Sequence, residues 1–212
     1  MDFDNAAGAE YRIVKNADRD GQPARIVSVA RTHETDANDL WDAVANPKRL
    51  PCWFLPITGD LKLGGRYQLE GHASGKITQC VPQEFMEMTW ECGDNLSWVS
   101  IRLTPDGEGT RMTLEHTMLK DEASETHWKK YGPGATGVGW DLGFAGLGLH
   151  LANGNATIDQ QDTQAWMASE HGKQFIRESA KAWGEAHIAA GESAPTAVEM
   201  AEQTAKAYTG EE

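Results

Sequence analysis

The chain has no run of apolar residues approaching the ~20 that a membrane-spanning helix needs, so no such span is expected. Cysteine is scarce: Cys52, Cys80 and Cys92 are the only three in 212 residues. They are odd in number, widely spaced and form no CxxC pair, which argues against a disulfide framework or a zinc site. Buried reduced thiols in a cytoplasmic protein are the expectation. Basic residues are also short: 19 Lys and Arg stand against 32 Asp and Glu, a net charge of −13. Nucleic acid and anionic membrane surfaces would repel such a chain. Met1 to Glu10 has no basic region followed by an apolar run, so no signal peptide is expected.

Motifs for bound groups are missing too. Gly64-Gly65 lies in neither a GxxxxGK[ST] nor a GxGxxG pattern. His33, His72, His127, His150, His171 and His187 show no HxH or HExxH spacing, so neither a metal nor a cofactor is expected. Nothing in the sequence brings a Ser-His-Asp or Cys-His set together.

What is present suits one folded core with an extension: an apolar fraction of 40% and eight tryptophans. Residues 1–9 are small and polar and are expected to fray. Tyr11–Lys15 and Ala24–Arg31 read as strands around an Asp20-Gly21 hairpin turn. Asp36 caps a helix with Leu40, Trp41 and Val44 on one face, and Pro47 ends it. Period-two alternation follows. Arg66–Glu70, a turn over Gly71–Gly75 and Lys76–Val81 come first. Next are Met86, Met88, Trp90 and Cys92 on the apolar face of a strand whose other face, with Glu87, Thr89 and Glu91, is wet. Val99, Ile101 and Leu103, then Met112, Leu114 and His116, continue an antiparallel meander.

Beyond Asp121 the period is helical. Glu122–Lys130 is a short polar helix and Tyr131–Gly137 a glycine-rich break. Val138–Leu151 is a helix with Trp140, Phe144, Leu147 and Leu151 on one face. Its glycines imply close approach to whatever it packs on. Gly137-Val138-Gly139 forms its lead-in, where free N–H groups could hold an anion, and Asp141 serves the helix dipole. The tail reads as helices over Asp162–Glu170, Lys173–Ala190 and Pro195–Thr209, with Gly172, Gly191 and Gly210 at their ends. Phe175, Ile176, Ala180, Trp183 and His187 stripe the second. Val198, Ala201, Ala205 and Tyr208 stripe the third. Such stripes must bury against the sheet domain or a partner.

The order of Leu40-Trp41, Trp53-Phe54, Gly59-Asp60-Leu61, Gly64-Gly65-Arg66-Tyr67, Phe85 to Trp90, Gly109-Thr110-Arg111 and Gly139-Trp140-Asp141 resembles the SRPBCC superfamily. This is the START and birch-pollen-allergen group, and the nearest branch is related to the C-terminal domain of the activator of the heat-shock protein 90 ATPase. The resemblance covers roughly 24–151. It implies an α+β helix-grip fold over residues 1–154: a curved antiparallel sheet wrapped around a long helix, followed by a helical extension over 155–212. Trp183 to His187 and Tyr208-Thr209-Gly210 resemble an extension in some bacterial members.

The resemblance also implies a cavity between sheet and helix, lined by Trp53, Phe54, Tyr67, Leu69, Met86, Met88, Trp90, Val99, Ile101, Met112, Leu114, His116, Trp140, Phe144 and Leu147. The same residues suit either a filled core or an open pocket. Trp53 and Phe54 read as a clasp between first helix and sheet, or as a cap on the pocket mouth. The expected function is non-enzymatic binding of a small apolar ligand. The alternatives are a co-chaperone-like interaction module, self-association, or an enzyme of the polyketide cyclase or aromatase type. The last would depend on His116, Tyr67 and Thr89 as the inward polar groups.

Overall fold

A computed structural model describes residues 8–211. Eight strands form one antiparallel sheet: β1 Tyr11–Arg19, β2 Gln22–His33, β3 Ile57–Gly59, β4 Arg66–Leu69, β5 Ser74–Val81, β6 Phe85–Cys92, β7 Asn95–Asp106 and β8 Gly109–Leu119. The spatial order is β1-β2-β8-β7-β6-β5-β4-β3. Among the described residues six α-helices accompany it, with one 3-10 turn over Leu50–Cys52: α1 Ala37–Ala45, α2 Glu122–Tyr131, α3 Gly134–Ala152, α4 Gln160–Ala168, α5 Glu170–Ala189 and α6 Ala194–Thr209. This is the α+β helix-grip fold. Among the described residues no helix is long and apolar enough to cross a membrane.

Local chemistry sets the elements. Arg19 pairs with Gln22 across a two-residue turn in which Asp20 and Gly21 have φ of 55° and 79°, the conformation that favours Asp-Gly there. Asp36 caps α1 by accepting from the Asp39 N–H. Gly64 and Gly65 are tied to Ile77 of β5 through backbone bonds of 2.9 Å each, so they anchor the start of β4. On β6, Met86, Met88 and Trp90 are buried inward as their alternation requires.

The far face of β6 departs from the expected wet surface. Glu87 is buried, held by Arg19 at 2.8 and 3.1 Å and by Thr78 at 2.9 Å, because the β1–β2 hairpin reaches over it. The expected break over 131–137 also shrinks. Gly132 and Pro133 make the corner, and α3 starts at Gly134, four residues before Val138.

Residues 1–7 lie outside the described part, but Ala9 is not frayed: it is buried and donates its N–H to Asp141 at 2.9 Å. Asp141 is likewise no terminal dipole partner. It sits inside α3 and is fully buried. Its carboxylate also accepts from Arg12 Nε and Nη2, each at 2.9 Å, from Ser179 Oγ at 2.5 Å and from Trp183 Nε1 at 3.0 Å. Gly137 has a helical bond to Pro133, so it offers no anion nest. A Cβ there would lie 2.0 Å from the Trp183 ring, which is why α5 can lie flat on α3.

The tail helices differ in two details. Gly172 lies within the first turn of α5, capped by Ser169, because a Cβ there would meet the Trp166 carbonyl oxygen at 2.1 Å. Val198 is 50% exposed, while Ala197, Met200 and Thr204 are buried. Thr204 and Tyr208 set this rotation of α6 by donating to the carbonyls of Tyr131 and Ala135 at 2.7 and 2.9 Å. The expected burial of the thiols fails as well: Cys92 is exposed and Cys52 and Cys80 are half-buried.

Removing one partner from a buried ion pair costs about 3–5 kcal/mol. Asp141→Ala is therefore expected to lower the unfolding free energy by that amount, read from urea denaturation. Gly137→Ala is expected to destabilise despite alanine's better helix propensity.

Candidate functional site

The inner faces of β4, β6, β7 and β8 and the inner face of α3 enclose one apolar space. Every one of the residues expected to line it does so except His116. Val44, Leu50, Ile57, Leu61 and Gly143 line it as well. Val44 belongs to the apolar face of α1 that the sequence marks, whereas Leu50, Ile57 and Leu61 come from the segment leading into β4, where no clear periodicity marks an inward face. Gly143 carries no side chain to read. The unfilled room is about 60 Å³, well below the 300–1,000 Å³ of ordinary ligand pockets. Met86, Met88 and Met112 take up much of the interior, and their unbranched chains can rearrange.

Trp53 and Phe54 serve as clasp and lining together. Trp53 Nε1 donates to the Ala43 carbonyl at 2.9 Å, which fastens α1. Its own carbonyl lies where a Cβ on Gly146 would come within 2.9 Å, so the chain there runs against α3. Phe54 stacks on Trp140 with centroids 6.4 Å apart.

His116 is buried but faces a second space, a cleft of about 490 Å³ between β7, β8, α2 and the start of α3. Trp90 lines both spaces. Trp90, His116 and Trp140 meet edge to face, at centroid separations of 5.3 Å (Trp90–Trp140), 5.9 Å (His116–Trp140) and 6.0 Å (Trp90–His116). The sheet's alternation does turn His116 inward. It stands past Leu114 on β8, however, where α3 is only beginning.

The hydrogen bonds around His116 run in one direction. Trp140 Nε1–H can only donate, and it does so to Nδ1 at 3.2 Å. In the neutral ring the proton then sits on Nε2 and is donated to Ser97 Oγ at 2.8 Å. Ser97 in turn donates to the Trp90 carbonyl at 3.1 Å. The imidazole therefore gives Ser97 a proton contact and takes none from it, the reverse of nucleophile activation. The Tyr67 hydroxyl donates to the Thr89 carbonyl at 2.7 Å, and burial raises its pKa. Thr89 does not face inward: its hydroxyl lies on the outer face between Lys76 N–H and Glu91.

Burial pushes the His116 pKa down to about 4. Burial, helped by Arg31, does the same to His33, also to about 4. The unfolded chain takes up these protons near 6.5. Between pH 6.5 and 4 the unfolded state thus holds more protons, so stability falls as pH drops through that window, is full above it and levels off below. Each ring contributes up to about 3 kcal/mol at 1.36 kcal/mol per pKa unit. His116→Gln, which keeps an acceptor for Trp140, is expected to reduce the slope of unfolding free energy against pH by about one proton in this window. Urea melts at successive pH values measure it.

The profile of the family described as activator of Hsp90 ATPase homolog 1-like protein matches residues 34–150, more than half of the chain. None of the curated proteins matches. Among solved structures, the solution structure of CalU16 from Micromonospora echinospora is 25% identical, with a TM-score of 0.69 over 88% of this chain and 99% of that one. The crystal structure of CalU16 gives 24% identity and a TM-score of 0.62 over 83% and 96%. MLL2253 from Mesorhizobium loti is 22% identical, with a TM-score of 0.53 over 61% and 98%. The likeness to CalU16 reaches beyond 34–150 into the helical tail. Fold, element order and family profile agree: the chain belongs to the activator of Hsp90 ATPase homolog 1-like family, within the SRPBCC superfamily.

Proposed function

We propose that this is a cytoplasmic protein that binds a small, mainly apolar ligand between the sheet and α3, without chemical turnover. In this reading residues 1–154 form the binding domain and 155–212 an extension that braces α3 from outside. The observation that carries it is Gly143. Glycine inside a helix costs about 1 kcal/mol relative to alanine. Gly137 and Gly146 face neighbours that leave no room for a Cβ, whereas a Cβ on Gly143 would meet nothing nearer than Phe54 Cε2 at 3.8 Å. Packing does not call for a glycine at that position, and it borders the apolar space. A Cβ there would come into ordinary contact with Phe54, and its absence leaves the apolar space wider at that point.

The cyclase-like reading finds less support. His116 hydrogen-bonds to Ser97 and Trp140 and to no carboxylate. A proton-moving pair facing the ligand is what such chemistry needs.

The test is fluorescence titration with 1-aminoanthracene. Wild type is expected to bind with a blue shift. Gly143→Leu and Met88→Trp are expected to weaken binding at least tenfold, while Gly143→Ala raises stability by up to about 1 kcal/mol. A wild type that enhances no apolar probe, or a folded Gly143→Leu variant that binds undiminished, overturns the reading.

A further inference from the structure

The interior alone offers about 60 Å³, too little for an ordinary metabolite. The cleft beside it offers about 490 Å³, within the usual range. Trp90, shared by both, together with His116 and Trp140, forms the partition between them. Trp140, itself only half-buried, is held across it by a single hydrogen bond to His116. Turning that ring would break this bond together with its stack on Phe54 and its edge contacts with Trp90 and His116, and would join the interior to the cleft.

The two spaces differ in chemistry. The interior is lined by apolar side chains, with the Tyr67 hydroxyl engaged elsewhere. The cleft has flat apolar walls from Trp90 and Trp128 and polar edges from Asn95, His127 and Thr136. Its cation is not free for an anionic ligand: Glu125 engages both terminal nitrogens of Arg25, whose guanidinium lies 4.4 Å over the Trp128 ring. The net charge of −13 adds to that discrimination. No residue of α2, which flanks the cleft, is fully buried, so the cleft lies at the surface.

We infer that cleft and interior are two compartments of one site, and that its ligand is a ring without negative charge, bearing hydroxyl or carbonyl oxygens and a short alkyl chain. The ring lies in the cleft against Trp90 and Trp128. The chain passes the Trp90–Trp140 partition into the space beside Gly143. This rests on the ligand-binding reading above and adds to it the class of ligand and the second compartment.

Calorimetric titration with 4-pentylphenol, phenol and pentane tests it. Wild type is expected to bind 4-pentylphenol at least tenfold more tightly than either fragment. Ala135→Phe, which narrows the cleft, should weaken 4-pentylphenol and phenol at least tenfold and leave pentane unchanged. Gly143→Leu should weaken 4-pentylphenol and pentane and leave phenol unchanged. Leu96→Trp, at an exposed position on the cleft wall, replaces Ala135→Phe if that variant does not fold. If 4-pentylphenol is lost in Gly143→Leu but unaffected by the cleft variant, the two-compartment inference fails and the interior reading stands. If wild type binds none of the three, both fail.

Discussion

A carboxylate taken fully out of water is tolerable only when nearly all its lone pairs are matched. Asp141 meets that condition with donors from two separate parts of the chain: Ala9 and Arg12 before and within β1, and Ser179 and Trp183 on α5. The grip helix α3 is thereby fixed from its outer side. Its inner side carries Phe144 and Leu147 against the sheet. A helix buried on two faces has little freedom to rotate, and Trp140, Gly143 and the partition beside them inherit that rigidity. The ion pair is less a source of stability than a constraint on geometry, since well-packed apolar replacements of buried ion pairs are often neutral or stabilising.

The same logic of matched polar atoms governs the partition. Three aromatic rings would close the passage by packing alone. The bonds from Trp140 through His116 and Ser97 to a backbone carbonyl give the closed arrangement a defined orientation. Each donor has one acceptor, so the neutral imidazole has one tautomer.

Much of the architecture could be read from the chain. Alternation placed Met86, Met88, Trp90, Met112 and Leu114 inward because a strand has only two faces. Asp36 and the Asp20-Gly21 turn are local effects with local signs. Distant partners left no such sign. The donors to Asp141 lie between 38 and 132 residues away, and a helix dipole accounts equally well for an acid at that position. Glycine is ambiguous for a similar reason: Gly137 yields to a tryptophan, while Gly143 would hold a Cβ in ordinary contact with Phe54, and one letter encodes both. Val198 was misplaced because two neighbouring stripes on α6 are almost equally apolar, and hydrogen bonds from Thr204 and Tyr208 decide between them. The cleft was missed altogether, since it forms where α2, α3 and two strands converge.

The Asp141 network also has a bearing on the order of assembly. As the chain is synthesised, the sheet and α3 are complete before Ser179 and Trp183 have been made. Until then the carboxylate has only its partners from the first strand region, and the outer face of α3, with Gly137 bare, stays exposed. Closure of the grip must wait for α5 to arrive, so the last helices act on the first strand through a residue between them. Long loop closures of this kind slow folding. In the order of synthesis the outer face of α3 is therefore the last part of the grip to be covered.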